Sequence, residues 1–263
     1  MNTYPLAATD TATMLRRNLR RARRYPSLTF FIAAIPVVFL LLFVFVLGGT
    51  LGAGLGGVAG GRAEYTAYVL PGILLVTVAG AAQGTAISVA MDMSEGIIAR
   101  FRTMAVARSS VLTGHVIGSV IQTMLAIVIV MVVALLIGFR STTGPVEWLA
   151  AAGLLALTAV AISWLSVALG MVSKSVETAS NLPMFLVILP FLSSGFVPTD
   201  SMPDGLSWFA ENQPFTPLIE TVRGLLLGTP IGNSGIVGVG WCVAISVVGF
   251  LWAMRLYDRD PGA

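Results

Sequence analysis

Apolar and polar positions fall into long separate blocks along this chain. Six apolar runs carry no Asp, Glu, Lys or Arg, and charged residues collect between them. About 20 apolar residues at 1.5 Å each span the hydrocarbon core of a bilayer, so long runs predict membrane-spanning helices. The fifth run is interrupted by Pro183 and Pro190. The predicted spans are residues 28–47, 68–90, 112–139, 149–172, 182–196 and 236–254.

Composition agrees with this pattern. Of the 263 residues, 56% are hydrophobic and only 10% are charged. One soluble core could not bury so much apolar surface. We therefore expect an all-α integral membrane protein that forms a single transmembrane domain and lacks a nucleotide-binding domain.

The basic residues indicate an orientation. If the tails, the second-to-third connection and the fourth-to-fifth connection share one side, that side holds 12 of the 15 Lys and Arg residues. Only Arg62, Arg140 and Arg223 fall on the other side. By the positive-inside rule, both termini are predicted to be cytoplasmic.

Several kinds of soluble chemistry find no support in the sequence. The one lysine, Lys174, follows Ser173, which excludes a Walker A motif. Gly52, Gly54 and Gly57 fit G-x-G-x-x-G, but no predicted strand precedes them. Cys242 and His115 are each the sole residue of their type, which excludes an internal disulfide and a histidine cluster for metal. We expect no catalytic residue, metal or cofactor on this chain, and an interfacial hydrogen-bonding role for His115.

The amino-terminal segment, residues 8–25, carries six arginines among Met14, Leu15 and Leu19 and ends before Pro26. Asp10 or Thr11 can cap a helix here. We predict an interfacial helix with its arginines on lipid phosphates. The alternative is a disordered basic tail that serves only as a topology signal.

Residues 94–108 form a charged segment between the second and third apolar runs. Ile97, Phe101 and Met104 recur at i, i+4 and i+7, which predicts an amphipathic helix. Such a helix can dock into a groove on a soluble partner. It can also serve only as a membrane-surface anchor or a solvated loop.

This segment resembles the ABC transporter type-2 permeases, and among them the daunorubicin-resistance type of drug-export permease. Ala105 stands where that family often has proline. The matching positions are Glu95, Gly96, Arg100, Phe101, Arg102, Val106, Arg108, Leu112 and Gly114.

A second stretch, residues 191–228, is similar to the segment before the last span in the same family. Its prolines forbid one continuous helix, and we predict an external re-entrant or cap segment over 197–228 with a short helix resting on the membrane. Glu220 and Arg223 are spaced to pair, with or without a role in transport. The matching positions are Leu192, Ser193, Gly195, Pro198, Met202, Pro203, Pro214, Pro217, Glu220 and Arg223.

The resemblance implies a permease subunit that is not an enzyme by itself. It would pair with a second permease chain and with two copies of a separate ATPase subunit, which bind ATP and Mg²⁺. Its amino-terminal helix would be the connecting helix, and 94–108 the coupling helix. The implied ATPase-coupling residues are Glu95, Gly96, Arg100, Phe101, Arg102 and Arg108.

The six predicted spans hold no Asp, Glu, Lys or Arg, which argues against an ion channel or a proton-driven carrier and favours an apolar cargo. The resemblance places the pathway between the second and fifth helices of two chains. Ordinary helix packing is the alternative for each candidate residue. The candidates are Gln83, Thr85, Ser88, Phe185, Phe191 and Ser193.

The resemblance implies the membrane subunit of an exporter of hydrophobic or amphipathic drugs or lipids. It would lie in the plasma membrane of a bacterium, with the lipid bilayer as a partner and no nucleic acid. A polysaccharide or glycolipid exporter is the alternative within transport. A non-transporting membrane anchor or sensor is the alternative of another class.

Overall fold

A computed structural model describes residues 10–17, 26–49, 62–97 and 108–258. Within these ranges the backbone forms helices and turns and no strand. The all-α prediction is therefore confirmed for the described part of the chain.

The helices follow one another as short and long segments. A π-helical turn, Leu42–Leu47, continues α2, and 3₁₀ turns occupy Leu189–Leu192 and Thr199–Ser201. The α-helices are α1 (10–17), α2 (Pro26–Leu41), α3 (Arg62–Ser94), α4 (Arg108–Leu136), α5 (Pro145–Val172), α6 (Val176–Asn181), α7 (Met184–Ile188), α8 (Asp204–Asn212), α9 (Phe215–Leu227) and α10 (Ser234–Asp258).

Four of the described helices are long and apolar enough to cross a membrane: α3, α4, α5 and α10. The first and fifth predicted runs instead contribute shorter apolar helical stretches, Ile32–Leu47 and Val176–Leu192. The fifth run is broken because Pro183 and Pro190 each remove a backbone donor. The described residues thus confirm four membrane-length helices rather than the six predicted.

The long helices form an inner pair and an outer pair. In the most apolar part of each helix, 72% of α3 and 67% of α5 is buried, against 33% of α4 and 22% of α10. The inner helices approach closely at Gly170 of α5, where an added β-carbon would lie 2.6 Å from the Ala86 carbonyl oxygen of α3. Small residues at such contacts are typical of helix packing in lipid.

One end of the bundle gathers the end of α3, the start of α4 and the ends of α5 and α10. Val89, Leu112, Met171 and Tyr257 pack there in one buried cluster. We call this the α1 end, because Met14 of α1 contacts Gly114 of α4 there. Helix α1 and the carboxyl-terminal end of α10 therefore lie at the same end of the bundle.

The opposite end holds α9 and the α4–α5 connection, and we call it the α9 end. Ser141 and Thr142 of that connection donate to the Leu226 and Leu227 carbonyls. Helix α9 is packed against α3, α5 and α10, with Phe215, Ile219 and Val222 buried. The predicted surface position of this helix is wrong, because its apolar residues face other helices.

Candidate functional site: the helix junction at the α1 end

Helix α1 docks on the start of α4 at Gly114, where no residue larger than glycine fits without a shift. Met14 is buried, and a β-carbon added at Gly114 would lie 2.7 Å from its Cβ. Real β-carbons do not approach so closely, so glycine lets the two helices touch. Gly114 is one of the positions that carried the family resemblance.

A buried carboxylate joins the same elements. The side chain of Asp92, in the last turn of α3, is fully buried. The Arg17 guanidinium of α1 donates a hydrogen bond to Asp92 Oδ2. His115 Nε2 of α4 lies 3.1 Å from the same oxygen. One carboxylate thus contacts basic groups from two other helices, which offsets the cost of burying its charge.

The junction lies immediately before the segment predicted to couple to an ATPase. Three residues after Asp92, the backbone amide of Glu95 donates to Met91 O at 2.9 Å. Gly96 then adopts a positive φ of 69°, a left-handed conformation that ends helices and suits glycine. The exposed Glu95 therefore stands where α3 ends.

The structure describes only part of the remaining predicted coupling residues. Arg100, Phe101 and Arg102 lie outside the described residues, and Arg108 is described only as the backbone start of α4. Their predicted role stays a prediction.

Asp92 is the functional candidate that sequence reasoning missed. The predicted second span ended at residue 90, whereas the helix runs to Ser94 with Asp92 inside it. The predicted span 68–90 holds no Asp, Glu, Lys or Arg, but the longer helix that contains it includes Glu64 and Asp92. Asp92 is the only acidic residue between Glu64 and Glu95, and that isolation was an available signal.

Three of the predicted pathway residues take part in packing within the chain. Thr85 is buried with its hydroxyl 2.6 Å from Ser119 Oγ of α4, which also accepts from Ser163 of α5. Ser193 is buried and donates to the Pro190 carbonyl. Phe191 stacks on Phe196 with 4.8 Å between ring centroids.

The other three pathway candidates reach the surface of the chain. Gln83 is exposed, and its Nε2 donates to the Ser180 carbonyl of α6 at 2.9 Å. Ser88 is partly buried, and Phe185 of α7 is 50% exposed. The structure thus places α3 beside α6 and α7 within one chain. A pathway between the second and fifth spans of two chains stays a prediction.

Arg223 at the α9 end does not form the predicted pair with Glu220. It donates to the Ser194 and Tyr68 carbonyls at 2.8 and 3.2 Å, and its guanidinium lies 4.1 Å from the Tyr68 ring centroid. Glu220 instead accepts from Ser234 Oγ at 2.8 Å. The hydrogen bonds of these two side chains therefore go to other partners and not to each other.

The predicted cap prolines each precede a helical turn, and their role in an external cap stays a prediction. Pro198 precedes the 3₁₀ turn Thr199–Ser201, Pro203 precedes α8, and Pro214 precedes α9. Helix α8 is the exposed part of this segment, with Trp208 69% exposed.

Four membrane-length helices, two of them mostly buried, define a multi-pass α-helical membrane protein. The sequence profile of one family, "ABC-2 type transporter", matches residues 9–227, which includes every element from α1 to α9. This chain belongs to the ABC-2 type transporter family.

Named relatives narrow the kind of permease. The chain is 28% identical to the daunorubicin resistance ABC transporter permease protein DrrB1 of Streptomyces coeruleorubidus, over 95% of this chain and 87% of that protein. It is 30% identical to nodulation protein J of Rhizobium leguminosarum bv. viciae, over 85% and 84%. It is 24% identical to the probable doxorubicin resistance permease DrrC of Mycobacterium tuberculosis, over 62% and 59%. The chain is thus an ABC-2 permease homologous to drug-resistance permeases.

Proposed function

We propose that this chain is the permease subunit of an ATP-driven exporter that moves a hydrophobic or amphipathic drug or lipid out of the cytoplasm or inner leaflet. The observation that carries this proposal is the similarity to a daunorubicin resistance permease across 95% of the chain. Two permease chains and two copies of a separate ATPase form the working assembly. ATP and Mg²⁺ bind to the ATPase, and this chain binds no cofactor.

The proposed topology has six spans. Helix α2 with its π-helical continuation is the first span, and α6, α7 and the following 3₁₀ turn are the fifth. An even number agrees with the observation that α1 and the end of α10 lie at the same end of the bundle. Among the described residues, Arg16, Arg17, Lys174 and Arg255 belong to that end. By the positive-inside rule, it faces the cytoplasm of a bacterial plasma membrane.

Residues 94–108 are the proposed contact with the ATPase. The segment leaves α3 at the exposed Glu95 and returns to the membrane at Arg108. Motion of the ATPase would therefore reach α3 and α4 through their adjoining ends, which share the Asp92–His115 contact.

Gln83, Ser88 and Phe185 are the proposed cargo-facing residues. They reach the surface of α3 and α7, which would face the second permease chain. Thr85, Phe191 and Ser193 would support this surface without touching the cargo. Their contacts are with other residues of the same chain. An apolar surface with few hydrogen-bonding groups suits an apolar cargo.

The test is reconstitution of this chain with its ATPase in lipid vesicles. ATP-driven movement of a fluorescent anthracycline is measured beside vanadate-sensitive ATP hydrolysis. We expect Glu95→Ala and Arg102→Ala to reduce transport per ATP, while Asp204→Ala, an exposed change in α8, leaves it unchanged. If no ATPase binds and no anthracycline moves, a membrane anchor or sensor becomes the better account.

A further inference from the structure

Asp92, Arg17 and His115 form a charged contact at the α1 end, in addition to the buried apolar cluster there. The Asp92 side chain is 0% exposed, that of His115 is 4% exposed and that of Arg17 is 34% exposed. The carboxylate and imidazole are therefore shielded, while the guanidinium reaches from α1 toward the surface.

Buried apolar residues flank this contact along both helices. Val89, about one turn before Asp92, and Leu112, about one turn before His115, are fully buried. A buried ion pair often stabilises a protein no more than apolar side chains of similar volume. Stability alone would be served by more contacts like that of Met14 with Gly114, so the charged contact calls for another role.

A charged, hydrogen-bonded contact fixes the relative positions of the helices that it joins. Apolar side chains can slide past one another, whereas a hydrogen-bonded carboxylate fixes the position of each partner. Here one oxygen atom, Asp92 Oδ2, accepts from α1 and lies beside the imidazole of α4. Displacing either helix alone would take one of these partners away from a buried charge.

We propose that Asp92 is a positioning residue that makes α1, the last turn of α3 and the first turns of α4 move as one body. Arg17 attaches it to α1, and His115 attaches it to α4. A push on residues 94–108 then reaches α1 and two spans together. This inference rests on the proposed function for its role in transport, while the attachment itself can be tested without an ATPase.

The attachment is tested by hydrogen exchange of the amides at 10–17 in the purified full-length chain. In Asp92→Asn and in Arg17→Gln we expect about tenfold faster exchange there, since hydrogen bonds to charged groups are stronger than neutral ones. Arg16→Gln removes the same charge from an exposed neighbour on α1 and should leave exchange unchanged. Equal exchange in all variants and the parent overturns the proposal.

The role in coupling is tested with the reconstituted permease and ATPase by the amount of anthracycline moved per ATP hydrolysed. We expect Asp92→Asn and Arg17→Gln each to lower this ratio about tenfold with hydrolysis retained, and the double variant to be no worse than either. Arg17→Lys, which keeps the charge, should recover part of the ratio. Additive losses, or an unchanged ratio, overturn the role.

The two readouts separate the possible failures. If the parent chain neither binds an ATPase nor moves anthracycline, the proposed function fails, and exchange at 10–17 still decides whether Asp92 holds α1. If Asp92→Asn does not fold, Arg17→Gln and Arg17→Lys carry both measurements, since Arg17 is partly exposed.

Discussion

Arg223 joins three segments that are far apart in the chain. Its side chain in α9 contacts the ring and carbonyl of Tyr68 in α3 and the carbonyl of Ser194 after the 3₁₀ turn. The hydroxyl of Tyr68 also donates to Ser194 O at 3.0 Å. A single guanidinium thus connects α9 and the broken fifth segment to α3, one of the two inner helices.

Replacing this guanidinium should weaken the α9 end. We expect Arg223→Ala to lower the free energy of unfolding by about 2 kcal/mol, through the lost hydrogen bonds and cation–π contact. Arg223→Lys should recover only part, since an ammonium lacks the planar fork. Denaturant unfolding in detergent micelles measures this change.

Arg140→Ala is the matched control for Arg223→Ala. Arg140 also donates to carbonyl groups, but they lie within five residues of it in the chain and the side chain is exposed. We expect a loss of about 0.5 kcal/mol or less. Equal losses in the two variants would contradict the tie between distant segments.

The sequence did not reveal the partners of Asp92 or of Arg223. Asp92 and Arg17 are 75 residues apart, and Arg223 and Tyr68 are 155 apart. Periodicity reports neighbours on one helix, which is why Glu220 was the predicted partner of Arg223. Contacts between helices depend on the packing angle and register, and the hydrophobic pattern does not carry this information.

At the scale of elements, the spacing of the helices depends on a few glycines. Gly170 admits α3 against α5, and Gly249 of α10 would place an added β-carbon 2.8 Å from the Leu165 amide nitrogen of α5. The central helix α5 therefore has a close backbone contact on two sides.

A methyl group at Gly170 should force α3 and α5 apart. We expect Gly170→Ala to lower the free energy of unfolding by about 1 to 3 kcal/mol, the usual cost of overpacking. Gly153→Ala is the control in the same helix, because nothing lies within 4 Å of its added β-carbon. Unfolding of the two variants in the same detergent measures the difference, and a similar result for both would refute the close-packing account.

Gly114→Ala should loosen α1 without touching a charged group. The added methyl group would overlap Met14, so α1 must shift. We expect faster hydrogen exchange at 10–17 than in the parent chain, with exchange in α5 unchanged. If α1 exchanges at the parent rate, Met14 is not its point of docking.

The sequence predicted where helices occur better than how they end. The uncharged runs located all four membrane-length helices of the described chain. An uncharged apolar run of about 20 residues is typical of a membrane-spanning helix. Pro183 and Pro190 correctly indicated a broken fifth segment. The extension of α3 to Ser94 and the packed position of α9 depend on contacts between helices, and the runs carry no sign of them.

For the whole molecule, the α1 and α9 ends are the two opposite faces of one bundle. Lys174 and Glu177 follow α5 at the α1 end, and Asp204 begins α8 in the segment that leads into α9. The proposed topology puts the α1 end in the cytoplasm.

Cysteine labelling of intact cells tests this orientation. In a Cys242→Ser background, which leaves the chain without other cysteines, we expect Asp204→Cys to react with an impermeant maleimide. Lys174→Cys should react only after the membrane is permeabilised. The reverse pattern would place the arginine-rich end outside and reject the proposed topology.

The most direct test of the account is a photo-cross-link between this chain and its ATPase. In the Cys242→Ser background, Glu95→Cys or Asp204→Cys is labelled with a benzophenone maleimide, and the complex is illuminated. The account predicts a cross-link to the ATPase from position 95 at the α1 end and none from position 204. A cross-link from position 204, or none from position 95 in a complex that still co-purifies, would contradict coupling through residues 94–108.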